Sequence, residues 1–369
     1  MRTAPPDMSK VHRLLIVKLS SIGDVIHALP VASALAKSFP TLEISWLVEQ
    51  MSAPMVLGNP HLKEVIVVPA ELRSVRFSPG KLKRFGEIRS SLHERKFDVA
   101  VDLQGLSKSA IFTYASGAKY RFGYDWLREL APILETRVPR RPESIHVVDQ
   151  FLDVAHFLGA DVSNPEFPIY LPPDEIASTH ALLLEREVDP AKPYIVINAS
   201  EGGGGGKGWG TARFIPALKM LHEKTGIPQV LIGSKADLSM SEEIVAALEH
   251  PVCDLTGKTN LKQLAVLLKD SVLHLCGDTG SAHMSAAVGT PVVTIFGRSN
   301  PIRLAPYGYE KYAVHHREMC KKVCLKFHQT APINSKQKCL DPPSVCIAAV
   351  PVVEVVDRCL QAMREDKLR

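Results

Sequence analysis

The stretch RLLIVKLSSIGDVIHALP, residues 13–30, decides the fold. It begins with a nearly continuous apolar run, passes through the polar turn SSIGD and continues into a more helical segment. Continuous rather than alternating apolar residues are typical of a strand that is buried on both faces in a parallel sheet. Because proline is tolerated best in a first helical turn, we expect the regular helix to begin close to Pro30 and to run to about Ser38.

The alternation of strands and helices extends outward from this stretch and then starts a second time. In the N-terminal half we predict further strands at 42–48, 64–69 and 97–105 and a helix at 146–160. After the proline-rich segment 165–175 we predict strands at 194–200, 227–234, 274–280 and 291–297, with helices at 211–225, 241–248, 281–288 and 352–366. Two βαβ sets joined by an extended linker predict an α/β fold, with two Rossmann-like, doubly wound parallel sheets that face a cleft.

These patterns predict an N-terminal domain at 1–172, a C-terminal domain at 173–350 and a C-terminal helix within 351–369. We also consider that this last helix packs back on the N-terminal domain. A chain of 369 residues is too long for one ordinary core and fits two domains of roughly 150–200 residues each.

The bulk properties limit the partners and the compartment. A net charge of +5 is well short of that of a dedicated nucleic-acid binder, but it suits phosphorylated or anionic-membrane partners. The apolar run from Leu14 to Leu19 is too short for a signal sequence or a membrane span. We therefore expect a cytoplasmic protein with reduced thiols, whose membrane contact is peripheral.

The turn after the first strand offers a carboxylate, Asp24, at the carboxyl end of a sheet strand. Ser20 and Ser21 can hydrogen-bond a phosphate or this carboxylate. The turn contains one glycine, whereas a dinucleotide-binding fingerprint has three, so a simple dehydrogenase is disfavoured. The alternative interpretation is that Asp24 only caps a helix.

The segment CGDTGSAHMSAAVGTP, residues 276–291, predicts a strand that leads directly into a helix of small residues. Thr279, Gly280 and Ser281 would present free backbone N–H groups and the positive end of the helix dipole, an arrangement that binds pyrophosphate. The alternatives are a tight structural connection and, for His283, a packed helix histidine.

The segment NASEGGGGGKGWG, residues 198–210, contains five consecutive glycines, each of which costs entropy on ordering. Lys207 is a cation that can reach a phosphate, and Trp209 can anchor the end of the loop by packing. The P-loop pattern fails because Gly208 follows the lysine. This departure argues against an ATPase.

Two further groups of residues have open interpretations. A basic run contains Arg73, Arg76, Lys81, Lys83, Arg84, Arg89, Arg95 and Lys96, with Phe77 and Phe85 among them. It is either a solvated helix face or a surface for a phosphorylated, membrane-embedded acceptor. The cysteines Cys320, Cys324, Cys339 and Cys346 lack paired zinc-knuckle spacing, which favours reduced structural thiols over a zinc site.

Taken together, SSIGDVIHALP, VDLQGLSKSA, GDTGSAHMSAA and the Lys207–Trp209 pair resemble glycosyltransferase family 9, the heptosyltransferases. The resemblance covers Leu14 to about Pro301. The run RFSPGKLKRFGEIRSSLHERKFDVAVDLQGLSKSA, the segment GYDWLRE at 123–129 and the helix that begins at His146 resemble heptosyltransferase I in particular. The resemblance implies a GT-B fold, an ADP-heptose donor and a Kdo-lipid A acceptor at the cytoplasmic face of the inner membrane. It also implies inversion at the anomeric carbon without a metal ion or cofactor.

The resemblance also implies roles for individual residues. Asp24 would be the general base, and Lys207 would hold the donor phosphates. Asp278, Thr279 and Gly280 would bind the sugar-diphosphate region, and Asp237, with Glu242 as an alternative, would bind the ribose. For acceptor binding we select residues of the first turn, the basic run and the VDLQG segment, namely Ser20, Ser21, Arg73, Arg76 and Gln104.

The pentaglycine before Lys207 departs from the family pattern, in which this position carries bulkier polar residues. A family member with another nucleotide-hexose donor is therefore one alternative, which a panel of nucleotide sugars would test. A non-catalytic, glycosyltransferase-like binding protein is another. The joint presence of Asp24, Lys207 and Asp278 argues against it, because a binding module has no use for a base.

Overall fold

The computed structural model describes residues 4–73, 79–200, 208–297, 299–316 and 345–366. The chain divides into two compact units, Met1–Tyr170 and Leu171–Arg369. Each unit has a parallel sheet of six described strands. The fold is therefore α/β with two Rossmann-like doubly wound domains, as the sequence predicted.

The first unit contains strands β1 Arg13–Val17, β2 Glu43–Glu49, β3 Glu64–Val68, β4 Val99–Asp102, β5 Tyr120–Gly123 and β6 Thr136–Arg137. Its helices are α1 Ile22–Ser38, α2 Pro79–Glu94, α3 Ser107–Ala115, α4 Ala131–Leu134 and α5 Val147–Phe157. The strand order is β3-β2-β1-β4-β5-β6, and all described pairings are parallel. The sequence analysis did not predict β5 or β6, which are short.

Strand β1 is the centre of this unit, and Leu14 to Val17 are fully buried. Leu15 and Val17 pack in one cluster with Leu92 of α2 and Phe112 of α3. Because strand side chains alternate, the other β1 residues point to the opposite face. Helices cover both faces, which explains why the apolar run is continuous rather than alternating.

Our prediction for the start of α1 is wrong. The helix begins at Ile22, and Pro30 lies inside it, although the end at Ser38 is as predicted. An internal proline removes a backbone N–H donor and disturbs the preceding turn. Burial of Val25, Ile26 and Leu29 on this helix favours a continuous helix in spite of that cost.

The second unit contains strands β7 Ile195–Asn198, β8 Gln229–Leu231, β9 Val252–Asp254, β10 Leu273–Gly277, β11 Val292–Phe296 and β12 Ala313–His315. Its helices are α6 Pro173–Leu184, α7 Thr211–Thr225, α8 Leu238–Ala247, α9 Leu261–Asp270, α10 Gly280–Ala287 and α11 Pro301–Leu304, followed by the short helix Val345–Ala348 and the C-terminal helix Val352–Asp366. The order is β12-β11-β10-β7-β8-β9, again with parallel pairings.

The C-terminal helix packs within the second unit, where it contacts α7, β10, β11 and β12. Its buried residues Val355, Val356, Cys359 and Ala362 belong to the same cluster as the apolar face of that sheet. Its apolar stripe covers the sheet face between α7 and β12. Our suggestion that the helix also packs back on the N-terminal domain stays a prediction.

The segment before α6 has no regular structure from 161 to 172 and runs along the first unit. The Ser33 hydroxyl donates to the Glu166 carbonyl over 3.3 Å, and the Asn59 side-chain amide donates to the Pro168 carbonyl over 3.4 Å. These contacts explain why the first unit ends at Tyr170, close to the predicted boundary after residue 172.

Two further sequence-based predictions concern membrane-spanning helices and the cysteines. Among the described residues, no helix is both long enough and apolar enough to cross a bilayer. Cys346 is buried, whereas Cys320, Cys324 and Cys339 lie outside the described residues.

Candidate functional site

The first candidate site lies at the topological switch point of the first sheet. The chain proceeds from β1 to β2 and β3 on one side, and β4, β5 and β6 lie on the other side. Val17 pairs with Asp102 at the carboxyl ends of β1 and β4. In open α/β sheets, ligands bind beyond the strand ends at such a point. The predicted residues Ser20, Ser21, Asp24 and Gln104 all follow these two ends.

Asp24 is half-buried in the first turn of α1, with Ser21 as the N-cap residue. Its Oδ2 accepts hydrogen bonds from the Ser21 backbone N–H over 3.2 Å and from the Ser21 hydroxyl over 3.1 Å. Asp24 therefore does cap a helix, as the alternative interpretation held. Its Oδ1, however, accepts no hydrogen bond from the described residues. One carboxylate oxygen thus holds the turn, and the other remains for a ligand.

The Ser-x-x-Asp spacing at 21–24 is the sequence signal for the alternative interpretation, in which Asp24 caps a helix. It is a capping-box pattern that marks a helix start, and it should have outweighed Pro30.

Gln104 joins the two loops of this switch point. Its side-chain Oε1 accepts a hydrogen bond from the Ser20 backbone N–H over 3.2 Å. Asp102 fixes the same loop, because its Oδ1 accepts from the backbone N–H groups of Gln104 over 2.7 Å and Gly105 over 2.9 Å. The structure thus brings Ser20, Ser21, Asp24 and Gln104 together, with Asp102 as a supporting residue that the sequence analysis did not select.

The predicted acceptor arginines are only partly described. Arg73 ends a short 3₁₀ helix, Ala70–Arg73, but its side chain lies outside the described part, as does all of Arg76. On α2, Lys83 and Arg89 are exposed, whereas Phe85 packs against Phe112 with 5.6 Å between ring centroids. Phe85 is therefore a partly buried residue that packs against the core of the first unit.

The second candidate site lies at the switch point of the second sheet, between β7 and β10. Asn198 pairs with Cys276 near the carboxyl ends of these strands. The loop after β7 leads into the glycine segment, and the loop after β10 is the Gly-Asp-Thr-Gly turn. The two sequence motifs that we assigned to phosphates therefore follow neighbouring strands.

Helix α10 begins at this switch point with unsatisfied donors. Thr279 is its N-cap residue but makes no side-chain cap, and none of the described residues accepts a hydrogen bond from the N–H groups of Gly280 or Ser281. Free N–H groups at a helix start, together with the helix dipole, bind anions. The half-buried Asp278 makes no hydrogen bond or ion pair with described residues, so its carboxylate can accept from ligand hydroxyls.

A buried network explains why Thr279 leaves the helix start uncapped. His274 Nδ1 faces the Val196 carbonyl at 3.0 Å, so Nδ1 carries the proton, and Nε2 accepts from the Ser281 hydroxyl at 3.0 Å. The Ser281 oxygen then accepts from the Thr279 hydroxyl at 2.9 Å and from the Asn198 amide at 3.0 Å. Burial lowers the pKa of His274 to about 4, so this direction holds at neutral pH.

Replacing Ser281 with alanine tests this network. The change leaves His274 Nε2 and the Asn198 amide without a partner, and unsatisfied buried groups cost about 1–3 kcal/mol each. For the two groups together we expect a loss of roughly 2–6 kcal/mol of unfolding free energy in urea titrations, together with weaker ADP binding. The control is Ser285→Ala on the same helix, which removes one bond to the Thr290 carbonyl. If both variants bind ADP as the unchanged protein does, the network does not support the site.

Asp237 lies just after β8, the strand beside β7. Its Oδ2 accepts from the Ser234 backbone N–H over 2.7 Å and from the Ser234 hydroxyl over 2.6 Å. This capping box matches that of Ser21 and Asp24 in the first unit. Glu242, the alternative, is exposed on α8.

Lys207 and the pentaglycine lie outside the described residues. Trp209, two residues after Lys207, is buried, and its indole N–H donates to the Val350 carbonyl over 3.1 Å. Its ring also meets Phe214 edge-on at 5.2 Å. Trp209 therefore anchors the end of the loop, as predicted.

Comparisons with known proteins bear on both units. The model of glycosyltransferase family 9 (heptosyltransferase) matches residues 85–333. The lipopolysaccharide core heptosyltransferase OpsX of Haemophilus influenzae is 26% identical over 80% of this chain and 81% of its own length. Lipopolysaccharide heptosyltransferase 1 of Pseudomonas aeruginosa is 27% identical over 89% of this chain and 91% of its own.

Solved structures agree with these sequence matches. A family 9 glycosyl transferase from Veillonella parvula has a TM-score of 0.80 and 19% identity, and covers 96% of this chain and 98% of its own. The E. coli heptosyltransferase WaaC, solved with ADP, has a TM-score of 0.67 and 25% identity, over 82% and 92% of the two chains. The fold of these neighbours is GT-B.

Proposed function

The chain belongs to glycosyltransferase family 9, the heptosyltransferases, and from this premise we propose that it transfers heptose from ADP-L-glycero-D-manno-heptose to the Kdo-lipid A inner core of lipopolysaccharide. As a family member it is a glycosyltransferase enzyme. Support for the donor and the acceptor comes from the lipopolysaccharide heptosyltransferases among its relatives and from WaaC structures that contain ADP or ADP-2-deoxy-2-fluoro heptose.

The observation that carries the donor proposal is the uncapped start of α10. The N–H groups of Gly280 and Ser281 are available to a pyrophosphate, with Thr279 held in place below them. We assign Thr279 and Gly280 to the diphosphate, Asp278 to sugar hydroxyls and Asp237 to the ribose. Lys207 adds a positive charge for the phosphates. Together these groups stabilise ADP as it leaves, and no metal ion is required.

On the acceptor side, we assign the Oδ1 atom of Asp24 as the general base. It takes the proton of the acceptor hydroxyl while that oxygen attacks the anomeric carbon from the side opposite ADP, and this single displacement inverts the configuration. Ser20, Ser21 and Gln104 orient the acceptor sugar. Arg73 and Arg76 pair with acceptor phosphates, for which guanidinium groups are well suited.

We also propose that the protein acts at the cytoplasmic face of the inner membrane, because Kdo-lipid A is a lipid. Support comes from the net charge of +5 and from exposed cations on α2 such as Lys83 and Arg89, since basic residues are attracted to anionic leaflets.

The direct test is to incubate the protein with ADP-heptose and Kdo-lipid A. We expect the acceptor to gain the mass of one heptose while ADP is released, in the presence of EDTA as well as in its absence. A parallel reaction with an acceptor that already carries one heptose distinguishes the first transfer from the second. Release of nucleotide only from another sugar nucleotide would overturn the donor assignment, and loss of transfer in EDTA would overturn metal independence.

Lys207→Ala should weaken only the binding of the nucleotide donor. Hydrogen bonds to charged groups contribute about 1.5–3 kcal/mol, so we expect ADP affinity to fall roughly 10- to 100-fold in calorimetry. Lys219→Ala is the matched control, because Lys219 is a surface lysine paired with Glu249. Equal ADP affinity in the two variants would remove Lys207 from the proposed site.

A further inference from the structure

Two buried carboxyl groups, Asp102 and Glu135, lie beneath the loop that follows β4. Asp102 is 0% exposed and Glu135 is 2% exposed. Each is within hydrogen-bonding reach of the other. Gly123 leaves the space for Glu135 and Leu127, because a Cβ atom there would lie 2.8 Å from Glu135 Oε2 and 2.2 Å from Leu127 Cδ2.

The hydrogen-bond pattern requires a proton within this pair. If both groups were ionised, then Asp102 Oδ2 and both Glu135 oxygens would have no donor among the described residues. Two neighbouring buried carboxylates also repel each other strongly. A single proton between the two groups removes the repulsion and supplies the missing donor.

The surroundings place that proton on Glu135. Burial, the charge of Asp102 and the contact with Asp102 together raise the pKa of Glu135 to about 10. Burial also raises the pKa of Asp102, and the hydrogen bonds from Gln104 and Gly105 oppose this rise only in part. We infer that Glu135 holds the proton of this pair and donates it to Asp102.

We propose that Asp102, held as an anion by the protonated Glu135, is the positioning residue for the catalytic turn that carries Asp24. The link has two steps. Asp102 Oδ1 accepts from the backbone of Gln104 and Gly105, and Gln104 Oε1 accepts from the Ser20 N–H immediately before the capping box. Bonds to an ionised acceptor are shorter and stronger than those to a neutral one, so the anion holds the loop firmly.

This role rests on the proposed function only in its last step, where a fixed turn aids proton removal by Asp24. The first test is therefore independent of activity. Backbone hydrogen exchange of peptides that cover 18–29 and 103–106 should be at least roughly tenfold faster in Asp102→Asn, because a neutral amide binds the loop more weakly. Glu135→Gln should exchange at the wild-type rate, since its amide still donates to Asp102.

The kinetic test follows the same variants. We expect kcat of Asp102→Asn to fall by about 10- to 100-fold, because small misplacements of catalytic groups have effects of this size, whereas KM for the nucleotide sugar stays within about twofold. Glu135→Gln should keep a kcat close to that of the wild type.

Asp153→Asn is the control for general destabilisation. Asp153 is another buried carboxylate of the first unit, and it accepts from Arg141 and Ser144. Unchanged exchange at 18–29 in Asp102→Asn, or equal effects in Asp153→Asn, would overturn the proposal. If the wild type transfers no heptose, the proposed function fails, but the exchange result still decides whether Asp102 positions the turn.

Discussion

Replacing Asp24 with asparagine should lower kcat for heptosyl transfer by roughly 10²–10⁴-fold, the usual contribution of a general base. The amide cannot take a proton, but its oxygen can still accept from Ser21, as Oδ2 does in the unchanged protein. Helix α1 should therefore keep its cap, and stability should change little. Since we place ADP on the second unit, its affinity in calorimetry should also be unchanged.

Because Asp24 is both the cap of α1 and the proposed base, the control is a residue that caps another helix. Gln263 closes a similar box at the start of α9, where its Oε1 accepts from the Asn260 N–H over 3.0 Å. Gln263→Ala should lose this cap bond, and so more helix stability than Asp24→Asn, and still keep full activity. If Asp24→Asn retains more than a tenth of wild-type kcat, another group removes the proton.

Glu135→Gln should change the pH dependence of stability more than any other substitution considered. Burial and Asp102 raise the pKa of Glu135 from its ordinary 4.5 to about 10. Between these values the folded chain keeps the proton and the unfolded chain releases it. The contribution of this group to the unfolding free energy is then present below about pH 4.5 and falls by about 1.4 kcal/mol per pH unit as the pH rises.

The measurement compares urea unfolding at pH 6, 7.5 and 9. Relative to Glu135→Gln, the wild type should lose about 4 kcal/mol between pH 6 and pH 9, because the glutamine has no proton to release. Glu249→Gln is the control: Lys219 holds the pKa of that exposed carboxyl below its ordinary value, so no slope arises in this range. If the unfolding free energies of the wild type and of Glu135→Gln change equally with pH, Glu135 is ionised in the folded chain.

The pair of Asp102 and Glu135 shows which features of the structure the sequence patterns did not predict. VDLQG predicted a strand and a polar loop, but no local pattern marks Asp102 as the residue that fixes this loop. Its partner Glu135 precedes β6, a strand too short for periodicity to reveal. The pairing exists only because β4 and β6 flank β5 in one sheet. The spacing of residues along the sequence does not show which strands lie next to each other in the sheet.

The donor network is a comparable case. The Gly-Asp-Thr-Gly turn predicted the start of α10 and its free N–H groups, which depend on neighbouring residues alone. The reason for the missing cap, however, is the contact of Ser281 with His274 and Asn198. These residues come from separate strands that are adjacent only in the sheet.

The sequence by itself determined two parallel sheets, the polar turns at their strand ends and the family. Buried strands, turns and capping boxes are local patterns of apolar and polar residues. Such patterns are visible in the sequence without knowledge of the fold. The tertiary structure alone decided that the C-terminal helix covers the second sheet and that Asp102 meets Glu135. Each of these depends on burial by distant segments, which contributes free energy only after the chain has folded.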